Sequence, residues 1–234
     1  MKAVIMAAGK GTRMLPITQT IPKVLIPVGG TPFLKYVIER LHKAGITDIG
    51  VVTSYKSEMV KAFLDEEGIK ATIIDQGEPL GTGHAIKVAK DFVKDDDFIA
   101  LGGDNLWSAN EIREMIKDDD DWYVAAWTVK NPEKYGVLVC EDTQLIKIVE
   151  KPQVFVGDLI NSGLYKFTSE VFDLLENLEL SPRGEYELTD ALTIGADLNK
   201  VHVYKLSDYW IDLGTLEDIP NVEEFLKKLD NDPS

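Results

Sequence analysis

Through the first half of the chain, short apolar runs rich in valine and isoleucine alternate with segments whose apolar residues recur every three or four positions. The run "AVIMAA" comes first; Phe33, Leu34, Val37, Ile38 and Leu41 follow at helical spacing, and "IGVVTS" is the next run. Continuous apolar runs suit strands buried on both faces, and a 3.6-residue period suits the helices that cover them, so the rhythm predicts β-α-β units. Thr31 is the expected N-cap of the first helix, Pro32 its first helical residue and Gly45 its stop. The rhythm continues with a helix near Glu58 to Glu66, a strand at "ATIID", a helix from Gly83 to Phe92 and a strand at "DFIALGGD".

From Asp121 the pattern changes to paired strands, "WYVAAWTV", "YGVLVC", "LIKIVEKP" and "INSGLYKF", read as an antiparallel or mixed extension of the same sheet. Helices over Ser169 to Asn177 and Leu188 to Ala196 precede strands "VHVYKL" and "YWIDLG" and a final helix from Leu216 to Lys228. No linker or internal repeat divides the chain. The expected fold is α/β, a single-domain Rossmann-like arrangement over residues 1–228 with a mixed, mainly parallel sheet flanked by helices. Residues 229–234 form a polar tail, expected to fray.

The 234 residues include 44% hydrophobic ones, ample for a core, and 25 Lys+Arg against 40 Asp+Glu, a formal charge of -15. That balance argues against nucleic acid or an anionic membrane as partner, since both need an excess of cations. An anionic ligand must therefore be held by local cations or a metal. The single cysteine, Cys140, excludes an intramolecular disulfide and reads as a structural thiol. With no leader and no long apolar run, cytoplasm is the expected compartment. The runs Asp95 to Asp97 and Asp118 to Asp121 lack the spacing and glycine of a calcium loop and read as solvated turn ends.

Candidate chemistry begins in "AAGKGTRM", a glycine loop at the carboxyl end of the first strand, where α/β folds bind ligands and backbone N–H groups approach phosphate. Met14 stands where a Rossmann fingerprint needs its third glycine, and the loop does not end as a Walker A motif does. Arg13 offers a planar fork and Lys23 a movable charge, in a stretch that Pro16, Pro22 and Pro27 keep from forming a regular helix. These features point to a polyphosphate.

The whole spaced pattern, Gly9 to Met14, Pro22-Lys23 and "PVGGTP", resembles the signature of the sugar-1-phosphate nucleotidylyltransferases, and the resemblance recurs in order to about Leu216. It implies the nucleotide-diphospho-sugar transferase type of fold and transfer of a nucleoside monophosphate from an NTP to a sugar 1-phosphate. "QGEPLGTGHAI" looks like the base-recognition segment of the uridylyl and thymidylyl branches. The resemblance implies a nucleotide-binding set of Ala8, Gly9, Gly11, Thr12, Gln76, Gly81, Thr82 and Gly103, with His84 left to the helix start. It makes Asp104 and Asp212, each ending an apolar strand, the ligands of Mg²⁺.

"YGVLV", "VEKP" and "NSGLYKF" match the family's sugar-side segments, so Gly136, Glu150 and Asn161 are the expected sugar-binding residues. Arg13, Lys23 and Lys151 are the expected catalytic cations. In "RGEYELTDAL", Glu187 and Asp190 are assigned to capping or packing. Longer relatives add a left-handed β-helix with acetyltransferase activity; these 234 residues contain no hexapeptide repeat, so that activity is not expected. The partners implied are small molecules, and self-association into a homo-oligomer stays open.

Three alternatives remain at this stage. A cytidylyltransferase for choline or inositol phosphate shares the glycine loop and aspartates, although Gly81-Thr82-Gly83-His84 and "WIDLGT" favour the sugar branch. A non-catalytic nucleotide-sugar sensor would be expected to have damaged signature positions, which here are intact. A dinucleotide oxidoreductase wants an acidic residue after the second strand, where Tyr55-Lys56 stands instead.

Overall fold

The computed structural model describes residues 1–231. In chain order the elements are β1 (Lys2–Met6), the short pair β2 (Pro27–Val28) and β3 (Thr31–Pro32), α1 (Phe33–Lys43), β4 (Ile49–Thr53), α2 (Ser57–Glu66), β5 (Thr72–Asp75), α3 (Thr82–Lys87), α4 (Lys90–Val93) and β6 (Phe98–Gly102). There follow β7 (Asn105–Trp107), α5 (Ala109–Glu114), β8 (Trp122–Thr128), β9 (Gly136–Glu141), β10 (Gln144–Glu150), β11 (Leu159–Phe167), α6 (Val171–Glu176), α7 (Leu188–Asp197), β12 (Val201–Lys205), β13 (Trp210–Asp212) and α8 (Ile219–Asn231).

Nine strands form one sheet in the order β5-β4-β1-β6-β11-β8-β12-β10-β9. The four from β5 to β6 are parallel, β11 runs against β6 and β8, β12 is parallel to β8, and β10 is antiparallel to both β12 and β9. This is the mixed sheet expected, with only β11 and β10 running against the rest.

Consecutive residues of a strand point to opposite faces, which divides the core into two layers. Ala3 and Ile5 face a layer containing Phe33, Leu34, Val37, Ile38 and Leu41 of α1, Val60 and Leu64 of α2, and Val222 and Leu226 of α8. Val4 faces the other layer, with Ile86 of α3, Phe172 of α6 and Leu192 of α7. Both faces being covered is why β1 reads as an unbroken apolar run.

The boundaries differ from expectation in places. Helix α1 begins at Phe33 with Pro32 as its cap, because Pro32 pairs with Pro27 in the β2–β3 ribbon. The single helix expected over 83–92 is two: the N–H groups of Ala89 and Phe92 bond three residues back rather than four, breaking the cylinder between α3 and α4. Helix α8 continues to Asn231, past the expected end at Lys228, and residues 232–234 of the polar tail lie outside the described residues.

The acidic runs are not merely solvated. Lys166 of β11 has a side chain at 0% exposure, and its ammonium donates to the backbone carbonyls of Asp119 and Asp121 and pairs with the carboxylates of Asp97 and Asp119. A buried ammonium requires such a set of acceptors, and the two acidic turns supply it. Lys166 is in register with Ile99 near the start of β6, so this network sits on the rim opposite the glycine loop. Among the described residues no helix is long and apolar enough to cross a membrane.

Candidate functional site

Strands β4, β1 and β6 end together, at Thr53, Met6 and Gly102. The loop leaving β1 turns at Gly11 (φ 62°), and a Cβ there would stand 2.8 Å from Thr18 Cγ2 and 3.1 Å from Lys23 Cβ. Glycine is required both by the left-handed backbone and by that close approach. Thr18 donates to the Gly11 carbonyl at 2.9 Å, folding residues 12–22 back as a run of 3-10 turns. From outside, Tyr55 and Lys56 both donate to the Gln19 carbonyl.

Ala8, Gly9, Gly11, Thr12, Lys23, Gln76, Gly81, Thr82 and Asp104, all expected from sequence, line one cleft of about 510 Å³. That volume suits a nucleotide-sized ligand. Gly103 is not part of the lining: its N–H donates to the Met6 carbonyl, and Val24 and Ile5 leave no room for a Cβ, so it is a glycine of close packing.

At the far end of the cleft, Gln76 is 5% exposed. Its amide nitrogen donates to the Gly81 carbonyl at 3.0 Å and lies 3.2 Å from His84 Nδ1, which leaves its oxygen available to a ligand. Gly81 has φ 101°, and a Cβ there would come within 2.6 Å of the Tyr186 carbonyl. Residues 186–188 clamp this loop: Gly83 N–H donates to Tyr186 O, Tyr186 N–H to Leu80 O, and Leu188 N–H to Thr82 Oγ1. Glu185 of the same segment lines the cleft, and sequence reasoning had passed over it. Glu187 stands at the N-cap position of α7, but its side chain makes no capping bond there and instead accepts from Arg183 and Ser181.

Asp104 follows β6, and β7 leads straight into an antiparallel pair with β13, in which Asp212 faces Asn105. The Leu213 N–H donates to the Asp104 carbonyl, so the two carboxylates meet on one rim. What delivers β13 is a buried acceptor: Glu111, 2% exposed, accepts from the N–H groups of Ser207 and Asp208, from Ser207 Oγ and from the Tyr204 hydroxyl. Burial pushes the Glu111 carboxyl up, but these donors together hold it below its ordinary range.

Burial, with the neighbouring Asp104 carboxylate second, raises Asp212 from 3.8 to about 6, against the opposing pull of Lys23 and Arg13. Lys23 reaches Asp104 directly, its ammonium on Oδ2. Among the described residues no cluster of three or more His, Cys, Asp or Glu suits a metal. A pair of carboxylates still fits Mg²⁺, a hard cation that keeps waters and takes phosphate oxygens, and the mutual repulsion recorded at Asp212 is what such a cation would relieve.

A stability prediction follows from the raised Asp212 carboxyl, whose first cause is burial and whose second is the Asp104 carboxylate. An acid held near 6 in the fold and near 3.8 in the unfolded chain binds more protons when folded, so its contribution falls as pH rises from about 4 to about 6 and stays low above. The metal-free Asp212→Asn variant should therefore be more stable than the parent at pH 7.5 by up to about 3 kcal/mol. The gain should vanish near pH 4. Thermal melts of both proteins across this range test it, and a gain that does not depend on pH would refute the cause given.

The sugar-side candidates form a neighbouring cluster. Gly136 is in register with Glu150, and a Cβ on Gly136 would lie 2.9 Å from Glu150 Oε2 and 4.0 Å from Asn161 Cβ. Asn161 donates to the Tyr165 hydroxyl and accepts from Gly163 N–H, which fixes its amide. Lys151 has φ 44°, donates its N–H to Tyr135 O, and holds its ammonium 4.0 Å from Glu150. Tyr135 joins this cluster to the carboxylates: burial and then Asp212 and Asp218 raise its hydroxyl pKa, while Arg13 lowers it. Arg13 itself is exposed on its loop, outside the cleft lining but within electrostatic reach of Asp212 and Tyr135.

A family model described as nucleotidyl transferase matches residues 2–228. The Bifunctional protein GlmU of Methanocaldococcus jannaschii is 38% identical over 227 residues, 97% of this chain and 54% of that protein. A bifunctional sugar-1-phosphate nucleotidylyltransferase/acetyltransferase of Sulfurisphaera tokodaii is 38% identical over 234 residues, 99% of this chain and 56% of its own. The chain thus spans about half the length of the curated relatives it matches. A crystal structure from Bacillus anthracis, described as a candidate glucose-1-phosphate thymidylyltransferase in complex with sucrose, superposes with a TM-score of 0.87 at 30% identity and covers 96% of this chain and 94% of that one. Likeness of this extent is shared ancestry, and the chain belongs to the nucleotidyl transferase family, that of the sugar-1-phosphate nucleotidylyltransferases.

Proposed function

We propose that the protein transfers a nucleoside monophosphate from UTP or dTTP to a sugar 1-phosphate and releases pyrophosphate, with glucose 1-phosphate favoured and N-acetylglucosamine 1-phosphate the second candidate. The observation that carries this reading is the meeting, on one rim, of a glycine loop, the Lys23 cation and the Asp104–Asp212 pair. The likeness to a structure described as a candidate glucose-1-phosphate thymidylyltransferase supports the choice of sugar. Gln76 supports the choice of base: with its amide nitrogen engaged by Gly81, its oxygen would accept the N3–H that uracil and thymine carry and cytosine lacks.

In the proposed reaction an oxygen of the sugar 1-phosphate attacks the α-phosphorus in line. The bond from that phosphorus to the β-phosphate bridging oxygen breaks, and pyrophosphate leaves with its electron pair. Backbone N–H groups of the Gly9–Thr12 loop cradle the triphosphate, Arg13 holds the departing pyrophosphate, and Lys23 and Lys151 steady the α-phosphate and the sugar phosphate. Gly136, Glu150 and Asn161 bind the sugar. Asp104 and Asp212 would hold Mg²⁺, which when bound neutralises charge on phosphate oxygens. Both substrates are anions, so positioning and charge neutralisation do most of the catalysis. The compartment proposed is the cytoplasm.

The test is pyrophosphate release by the purified protein with Mg²⁺, across UTP, dTTP, CTP and ATP crossed with glucose, N-acetylglucosamine and mannose 1-phosphates. Turnover with UTP or dTTP supports the proposal and names the sugar. Turnover with CTP alone replaces the base assignment, and UTP binding without turnover on any acceptor replaces the enzyme with a sensor.

A further inference from the structure

We infer that Asn105 is a positioning residue that orients the Asp104 carboxylate toward a cation, and that the Trp210 indole in turn sets the orientation of Asn105. The inference rests on the proposed role of Asp104 as a metal ligand. An indole N–H can only donate. It points at Asn105 Oδ1 at 2.9 Å, so the amide nitrogen of Asn105 must face the other way, where it donates to Asp104 Oδ1 at 2.8 Å. One oxygen of Asp104 is thereby capped, and Oδ2, the oxygen that Lys23 holds, is the one presented.

Two further features mark this relay as built into the fold. A Cβ at Gly102 would stand 2.9 Å from Asp104 Oδ1 and 3.2 Å from Asn105 Nδ2, so the missing side chain is the room the hydrogen bond occupies. Asn105 is also the residue in register with Asp212, so the same ladder that sets the second carboxylate sets the relay to the first. The Trp210 ring is held in turn by an edge contact with Tyr135, with centroids 5.8 Å apart. Residues that orient a ligand from behind typically change metal affinity 10–100-fold when removed.

The experiment is Mn²⁺ binding to the full chain, followed by electron paramagnetic resonance, in the parent, Asn105→Ala, Trp210→Phe and Asp104→Ala, with UTP binding in the absence of metal measured beside it. The expected result is Mn²⁺ affinity reduced about 10–100-fold in Asn105→Ala, and a smaller reduction in Trp210→Phe, which keeps the ring and loses the donor. Metal-free UTP affinity should stay within about twofold in both, a separation that general loosening of the fold would not produce. If Asn105→Ala does not fold, Trp210→Phe decides alone. Parent-like Mn²⁺ affinity in the folded relay variants, with binding abolished by Asp104→Ala, overturns the relay and leaves the metal assignment standing. Unchanged Mn²⁺ binding in Asp104→Ala overturns the metal assignment itself.

Discussion

Asp104→Ala is expected to yield a folded protein whose turnover is lower by at least about 10²–10³-fold, the usual cost of losing one electrostatic contact to a transition state. Two effects on stability oppose each other in this variant. Removing the carboxylate strands the nearly buried ammonium of Lys23 without its partner, which is destabilising. It also removes the neighbour that helps to raise Asp212, returning part of that energy. Circular dichroism checks that the fold survives, and pyrophosphate release measures the loss. Parental turnover in the folded variant would end the assignment of Asp104.

Lys23→Met should separate two quantities that normally move together. Turnover is expected to fall by about 10²–10³-fold, since a cation that steadies the α-phosphate is lost. Mn²⁺ affinity without nucleotide is expected to rise, since the Lys23 ammonium sits on the Asp104 oxygen a cation would use. Methionine retains most of the aliphatic stem that packs under Gly11, so the loop keeps its shape. Electron paramagnetic resonance and the turnover assay on one preparation decide the matter. If both quantities fall, Lys23 assists cation binding rather than competing with it.

What could be read from sequence was whatever a local pattern encodes. The glycine loop, the β-α-β rhythm and an aspartate ending the apolar run of β6 are properties of neighbouring residues, and Ala8 to Thr12, Gln76, Gly81 and Asp104 indeed line one cleft. What could not be read depends on segments far apart in the chain meeting. β7 is three residues long, and nothing local says that it pairs with Trp210–Asp212 rather than joining the main sheet. Asn105 gives no local signal of its role because its partner Trp210 lies 105 residues away. The acidic turns looked solvated because Lys166, 47 residues from Asp119, reads as an ordinary strand residue until the sheet forms. The close packing of Gly103 on Val24 and Ile5 could not be read either, because a glycine of close packing and one of ligand approach look alike in a row of letters.

The position of β12 has a consequence for the chain as it is made. β12 lies inside the sheet, between β8 and β10, and β13 supplies the second carboxylate; both come late in the sequence, at 201–205 and 210–212. During synthesis from the amino terminus, the glycine loop, the Gln76–Gly83 segment and Asp104 are all present while the sheet still lacks the strand that joins β8 to β10. A nascent chain thus carries the glycine loop and the first aspartate before the second aspartate exists. Both events await one stretch, residues 201–212, which fills the sheet and completes the carboxylate pair together.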